Sequence, residues 1–424
     1  MGVVTAAQLR ASEVSPMLPV RSLTLAARRA APLLLLLALS ACQDPTGVGL
    51  GLIDDDTSQP NARSLAATSA ALQSAETTTA GFASSGTPLQ TRVLLGSVID
   101  PIYGDATALA YMDVNLPTAG RPENFQDSTI TAVALQLRLD DYTRVEGDTA
   151  LYVYGDPTAS LPIEIREITS GWAPTDLAVD ATLPVGDIVA TGTILPTDTT
   201  FTINLDPAWV TANADAIRAD DFVTSFEGFE VRIPDGTVAG AVRGIDATLS
   251  AMLVATSLDT LRFPVNEVLT SLTQEDAAPS TDVLALRAGR ASTLAFDFDF
   301  EPVGVAALAR ADVRFPVERS QTGGTAFVRP LASQALLVGV VSETERIQLS
   351  VLTMPSEGDV STVGGSAFTA EIQDVLIGTR TYDRFEVTLQ SNPVSLDLLP
   401  LIVNPPADQP GPRFTLTLVG QPVQ

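Results

Sequence analysis

Three groups of side chains carry the chemistry this chain could do. Asp140, Asp141, Glu146 and Asp148 crowd one predicted strand-turn-strand. Calcium takes several oxygen ligands, which an acidic loop can supply, although the spacing is not that of an EF-hand loop. The alternative is an ordinary polar turn. Asp297, Asp299 and Glu301 alternate with Phe296, Phe298 and Phe300, which puts the three carboxylates on one face of a predicted strand. They read as a cation site, a carboxylate set for glycoside chemistry or a solvated acidic face. Glycoside hydrolysis needs two carboxylates facing each other across a sugar, roughly 5 to 9 Å apart. Same-face neighbours on one strand are about 7 Å apart but point in parallel, so the spacing favours the solvated face. Trp172, Tyr152 and Tyr154 are the aromatic residues best placed to stack on sugar rings. Trp172 lies between Ser170-Gly171 and Ala173-Pro174, at a loop or strand end. Trp209 and Tyr103 read instead as packing residues, one in a helix and one at a turn.

Absent residue types narrow the chemistry further. The chain has neither histidine nor lysine, and its one cysteine is Cys42. There is no Ser-His-Asp triad, no imidazole base, no Schiff-base amine and no phosphate-loop lysine to assemble. Carboxylates, Ser or Tyr with Arg, and calcium remain, so a non-enzymatic protein is expected. Arg10, Arg21, Arg28, Arg29 and Glu13 precede Cys42. Without them, 20 of the 24 basic and 49 of the 50 acidic residues remain, a net charge near −29. Such a surface repels nucleic-acid phosphates and anionic headgroups and attracts cations. No nucleic-acid partner is expected.

Leu39-Ser40-Ala41-Cys42 closes an apolar run that begins at Ala30 and follows Arg21, Arg28 and Arg29. A basic flank, a short apolar core and small residues at its end make a secretory signal over residues 1–41. A membrane-spanning helix would need roughly 20 apolar residues, and this run is shorter and broken by Ser40. Leu-Ser-Ala-Cys resembles the lipobox of bacterial lipoproteins. That resemblance implies cleavage before Cys42, diacylation of its sulfur and acylation of the new amino group. Counted from Met17 the signal has ordinary length, which makes Met17 an alternative start. Residues 42–64, aperiodic and rich in Gly, Asp, Ser and Pro, are predicted to be an acylated tether.

Beyond residue 64, period-two alternation dominates. Val133, Leu135, Leu137 and Leu139 alternate with small or polar residues, as do Ala311, Val313, Phe315 and Val317, and Phe414, Leu416 and Leu418. Helical pattern is rare. One helix is predicted from Pro207 to Ile217, with Asp206 as N-cap and Pro207 in its first turn. A second runs from Ser366 to Ile377 and stops before Gly378. Around them the order of elements repeats. The strands near 130–140, 151–154, 229–231 and 248–254 correspond to those near 311–318, 335–338, 385–387 and 414–419. The predicted fold is all-β, two tandem β-sandwich (jelly-roll-like) domains over residues 65–266 and 267–424.

Two stretches carry a wider resemblance: Cys42-Gln43-Asp44-Pro45-Thr46-Gly47-Val48-Gly49-Leu50, and Leu95-Gly96-Ser97-Val98-Ile99-Asp100-Pro101-Ile102-Tyr103-Gly104. With Phe226-Glu227-Gly228-Phe229 and Asp259-Thr260-Leu261-Arg262-Phe263, they resemble a domain-of-unknown-function family of Gram-negative outer-membrane lipoproteins. The resemblance implies a lipid-anchored cell-envelope protein, in the outer membrane, with no assigned activity. The two halves also look similar to jelly-roll carbohydrate-binding modules, a likeness of fold pattern alone. The expected role is binding or adhesion with a glycan as ligand. The alternatives are assembly with another envelope protein and, less favoured, a carboxylate-only glycosidase or lyase.

Overall fold

The computed structural model describes residues 61–74, 83–84, 92–143, 149–173, 177–275, 282–289, 292–320, 326–355, 358–363, 365–389, 395–405 and 411–423. Residues 60–424 form one compact unit. It is built almost entirely of antiparallel β-structure, as the alternation demands. Among the described residues, no helix is long and apolar enough to cross a membrane.

The chain opens with β1 (Asn61–Ser74) and β2 (Ala83–Ser84). It continues through β3 (Arg92–Val98), β4 (Ala106–Val114), β5 (Ile130–Leu139), β6 (Asp141–Thr143), β7 (Thr149–Leu151) and β8 (Val153–Gly155). Next come β9 (Leu161–Ile168), β10 (Val185–Ile194), β11 (Thr200–Asn204), α1 (Pro207–Arg218), the single turn α2 (Phe222–Ser225), β12 (Phe229–Arg232), β13 (Ala241–Thr256) and β14 (Thr260–Gln274). The second half holds β15 (Val283–Arg287), β16 (Ser292–Phe298), β17 (Val305–Phe315), β18 (Gln334–Val340), β19 (Arg346–Thr353) and β20 (Val360–Val363). It closes with α3 (Ser366–Leu376), β21 (Arg384–Leu389), β22 (Leu398–Ile402) and β23 (Arg413–Val423).

Two large sheets share one plan. The first runs β10-β9-β12-β4-β14-β13-β5-β11, with β2, β3 and β8 attached beside this path. The second runs β19-β18-β21-β16-β1-β23-β17-β20. Read position by position, β4/β14, β5/β13 and β9/β12 correspond to β16/β1, β17/β23 and β18/β21. In each sheet the two end strands, β10 and β11 or β19 and β20, come back alongside each other. First-with-last pairing nested inward in this way is the jelly-roll pattern. The helices hold equivalent places too, α1 between β11 and β12 and α3 between β20 and β21. The repeat read from the sequence is therefore present in the topology. One assignment changes: strand 334–340 corresponds to β9 rather than to residues 151–154, which belong to the short β7 and β8.

The sheet plan also relocates the start of the body. The expected tether end at residue 64 falls inside β1, and β1 lies in the second sheet, antiparallel to both β16 and β23. Its inward positions Leu65, Ala67 and Ala70 pack on the second core. A period-two register with alternating small residues hid it, because Ala-rich strands carry little hydrophobic contrast.

Local chemistry sets the helices as read. Asp206 accepts from the Ala208 amide at 2.6 Å and Pro207 occupies the first turn of α1. Gly378 follows α3 at φ +76°, a conformation that favours glycine. α3 also serves the sheet. β17 meets β20 only at residues 312–315. Next to that stretch, Gln373 accepts from the Leu308 amide at 2.6 Å and donates to the Ala306 carbonyl at 2.9 Å, while Thr369 Oγ1 accepts from the Ala311 amide at 3.3 Å. Side chains of the helix thus satisfy an edge that would otherwise invite pairing.

Each sheet encloses its own core. In the first, Leu135, Leu137, Phe229, Met252 and Phe263 are buried. In the second, Phe414 gathers Phe298, Phe300, Phe368 and Phe385 with ring centroids 4.6 to 6.1 Å away. A third apolar layer lies on the outer face of the first sheet, where Tyr111, Tyr152, Tyr154 and Leu269 meet Leu396 and Phe327 of the second half.

That layer contains the seam between the halves. The Asp100 carboxylate is fully buried. It accepts from the amides of Ile102 (2.8 Å) and Tyr103 (3.1 Å) within its own turn. It also accepts from the Tyr154 hydroxyl at 2.7 Å and from Arg329 of the second half, Nε at 2.6 Å and Nη2 at 3.1 Å. Burial by itself would raise its pKa, but Arg329, Tyr154 and the two amides outweigh it and hold the group below the ordinary aspartate range. Arg287 reaches the other way and donates to the carbonyls of Tyr103 (2.7 Å), Gly104 (3.2 Å) and Asp105 (3.3 Å). Gly155 and Val328 exchange backbone hydrogen bonds at 2.8 and 2.7 Å.

Removing one partner of a buried, hydrogen-bonded ion pair leaves the other charge stranded, at a cost of about 3–5 kcal/mol. Asp100→Ala is expected to lower unfolding free energy by that amount, while Tyr154→Phe, which removes one hydroxyl from the buried carboxylate, costs about 1.5–3 kcal/mol. Urea titration followed by circular dichroism measures both.

Candidate functional site

The aromatic residues expected to stack on a ligand separate sharply. Tyr152 and Tyr154 are fully buried. The Tyr152 hydroxyl donates to Asp397 at 3.1 Å and accepts from the Leu396 amide at 2.7 Å, and the Arg92 guanidinium lies 4.3 Å from its ring centre. Tyr154 is committed to Asp100. Both tyrosines join the halves and present no face to a ligand, which corrects the sugar-stacking expectation for them. Alternation misled here because the outer face of the first sheet, which would ordinarily be wet, is covered by the second half. Trp209 behaves as read: its ring packs on Phe229 and Phe226, and its indole N–H donates to Glu167 at 2.7 Å.

Trp172 differs. It stays half-buried at the edge of the third apolar layer. Its indole N–H donates to the Glu227 carbonyl at 2.8 Å, and its ring sits 6.2 Å from the Tyr111 ring, tilted by 53°. Tyr111 is itself fixed, its hydroxyl accepting from the Leu183 amide at 3.0 Å. Two points of attachment therefore set the orientation of the indole.

Three carboxylates gather near it, two from adjacent strands and one from the turn that leads into a third. Asp113 is the penultimate residue of β4, two positions after Tyr111 and so on the same face. Glu267 lies on β14 in a bulge. Val265 pairs with Val114 and Val268 with Met112, so Asn266 and Glu267 together oppose Asp113. Bulges of this kind re-aim side chains. Glu227 precedes β12 through Gly228, at φ +92°. A β-carbon on Gly228 would stand 2.2 Å from the Met112 carbonyl oxygen and 2.8 Å from the Asp113 α-carbon. Only glycine lets Glu227 approach β4 so closely. Gly171 lies beside the Glu227 carboxylate: a β-carbon there would stand 3.5 Å from both carboxylate oxygens, an ordinary contact.

Electrostatics ties the three together. Burial pushes the Asp113 carboxyl up to about 7, with Glu267 and Glu227 adding repulsion against a partial offset from the Val114 amide, which donates at 2.7 Å. Burial and then Glu227 also raise Glu267. Near neutral pH the Asp113 carboxyl therefore keeps a share of its proton and can donate as well as accept, beside two further carboxyl groups and an indole face. These groups stand side by side along one sheet, whose strands are about 4.8 Å apart. They do not face each other across a cleft as glycoside hydrolysis requires.

The acidic loop is placed in part. Asp140 pairs with Arg92, and β6 with β7 forms the expected strand pair on either side of the turn. Asp141 is exposed at the start of β6. Glu146 and Asp148 lie outside the described residues, as does Cys42. Among the described residues, no group of three or more acidic side chains is arranged to hold a metal ion. The Asp297–Asp299–Glu301 face does not form. β16 ends at Phe298, Asp299 accepts from the Glu301 amide at 2.9 Å, and Glu301 starts a 3-10 turn. Asp297 is bonded to Ser69 of β1.

Asp113, Glu227 and Glu267 escaped the sequence reading because they lie 40 to more than 100 positions apart. Gly228 after Glu227 was the one local signal, and it was read only as part of a motif. Searches against family models, curated proteins and solved structures return no match for this chain.

The raised Asp113 carboxyl makes a pH-dependent prediction. An aspartate in an unfolded chain titrates near 4. Between about pH 4 and 7 the folded protein keeps a proton that the unfolded chain has lost. Stability therefore falls as pH rises through this window, and the cost is complete above pH 7. Asp113→Asn retains the oxygen that accepts from Val114. It is expected to leave stability unchanged at pH 4 and to raise it by about 2 kcal/mol at pH 8, solvent screening at a half-buried site having trimmed the full effect. Urea titrations at the two pH values provide the comparison.

Proposed function

We propose that this protein is an exported cell-envelope lipoprotein of non-enzymatic binding type. Its ligand is a glycan, taken on the face formed by Trp172 with Asp113, Glu227 and Glu267. The observation that carries the reading is the fixed, half-exposed indole flanked by the carboxyl groups of Asp113, Glu227 and Glu267. Sugar rings offer apolar C–H faces for an aromatic platform and hydroxyls that both donate and accept. An Asp113 carboxyl that holds its proton up to about pH 7 can donate to a sugar hydroxyl, and the carboxyl oxygens around it can accept. The absence of histidine and lysine, together with carboxylates that stand side by side, supports binding over hydrolysis.

The location rests on Leu39-Ser40-Ala41-Cys42 and the signal before it. In this reading the lipid on Cys42 holds the body at the outer membrane of a Gram-negative bacterium. The acidic surface suits neither nucleic acid nor anionic headgroups. The loop bearing Asp140, Asp141, Glu146 and Asp148 is a secondary candidate, for calcium, and another envelope protein is the alternative partner.

The first test is a glycan array probed with the detergent-solubilised protein, with calcium and with chelator. Dose-dependent binding is expected, and Trp172→Ala should weaken it at least tenfold while leaving the circular dichroism spectrum intact. A blank array shifts the assignment to a protein partner. Cys42→Ala should move the protein from the membrane to the soluble fraction, and retention in the membrane would overturn the lipid anchor.

A further inference from the structure

The two sheets differ at one position. In the first, the place between β4 and β13 belongs to β14, which is joined to β13 by the short turn at 257–259, where the Thr256 amide donates to the Asp259 carbonyl at 2.8 Å. In the second, the equivalent place between β16 and β23 belongs to β1, the strand at the other end of the body. Its partners lie from 218 positions (Ser74 to Ser292) to 357 positions (Asn61 to Leu418) further along the chain. The second jelly roll is thus completed by a segment to which its neighbours have no short connection.

What holds β1 there is mainly its backbone. It forms ladders on both sides, antiparallel to β23 over residues 61–66 and to β16 over residues 67–74, with a register shift between Ala67 and Ser69. Leu65, Ala67 and Ala70 reach the core but stay half-buried, and the other described side chains of β1 are exposed. β14, in the same place, buries Phe263, Val265, Val268, Leu269 and Leu272. Leaving the slot therefore strips little apolar surface from β1. Re-entering any identical slot restores every hydrogen bond.

We propose that the slot between β16 and β23 is a strand-exchange site that accepts residues 61–74 from a second copy of this chain. The contacts made by one's own strand and by a neighbour's are the same. The balance is then set by effective concentration alone, as in domain swapping. Eight positions, 75–82, separate β1 from β2, which is fixed to β14.

Ser64 and Thr415 face each other across the β1/β23 ladder, on the solvent side. In a Cys42→Ala background, the Ser64→Cys/Thr415→Cys double variant should close a disulfide within one chain on oxidation, which shows that β1 occupies the slot. Single variants Ser64→Cys and Thr415→Cys are then mixed, refolded together over a hundredfold range of protein concentration, and oxidised. A covalent heterodimer, with a disulfide between positions 64 and 415 mapped by mass spectrometry and a yield that rises with concentration, is the expected result. If the double variant closes but the mixture gives no such cross-link at any concentration, the strand is confined to its own chain and exchange is overturned. Failure of the double variant to close overturns it as well, because β1 would not then be in the slot.

Discussion

The buried carboxylate of Asp100 is the interaction on which the body depends. Each half could enclose its own jelly roll, but the outer face of the first sheet is apolar and needs a cover. Asp100 puts a charge into that layer and meets it with five donors drawn from its own turn, from β8 and from the second half. Taking a charge out of water is tolerated only when its lone pairs are filled in good geometry. Here that requirement fixes how one half sits on the other. Arg287 reinforces the arrangement by donating to the same turn from the opposite side, so the segment from Asp100 to Asp105 is held by guanidinium groups of both Arg329 and Arg287. The tyrosines of β7–β8 and its flank are drawn into the seam for the same reason, since each needs a partner for its hydroxyl once its ring is buried.

A second constraint follows from topology. Two sheets with one strand order, the same four nested pairs and a helix at the same point are the structural record of a repeat. The halves are nevertheless not independent tandem units, because the strand that completes the second comes before the first. The second half cannot be finished without β1, and β1 has no partner until β16 and β23 exist. Its contacts are the most non-local in the fold, which places its docking late in folding, after the loop-closure cost has been met. Its composition suits that role. Ala and Ser pack against a formed sheet without creating an apolar edge that would aggregate beforehand.

The region around Trp172 shows how a site arises where regular structure is interrupted. β14 bulges opposite Asp113, Gly228 lets Glu227 approach where a β-carbon could not fit, and the Gly171–Trp172 segment lies beside them. Each departure is small. Together they bury the Asp113 carboxyl beside two others, and that burial, more than the neighbouring carboxyl groups, raises its pKa to about 7. The tyrosines and charged groups of the seam are engaged in holding the halves together, whereas at this edge an aromatic ring and titratable groups still meet solvent.

Much of this was legible in the sequence. Period-two alternation identified β5, β17 and β23, since a strand with one buried face must repeat every second residue. Asp206-Pro207 and Gly378 marked both helices, because capping and backbone conformation are local requirements. The repeat was visible as an order of elements. Composition alone excluded whole classes of catalysis, as no fold can supply a side chain the chain lacks. The resemblance of Leu39-Ser40-Ala41-Cys42 to a lipobox is likewise a property of the linear sequence. Burial and pairing across distance were not legible. Tyr152 and Tyr154 looked like surface aromatics because nothing local announces that a second domain will cover their face. The first residues of β1, 61–64, looked like tether and the rest like part of the first half, because a strand held by its backbone carries little side-chain pattern. Asp113, Glu227 and Glu267 became a group only through strand register and a bulge, both set by tertiary packing. Short-range conformation is encoded within a few residues, whereas the environment of a charge or an aromatic ring is decided by whatever the rest of the chain brings against it.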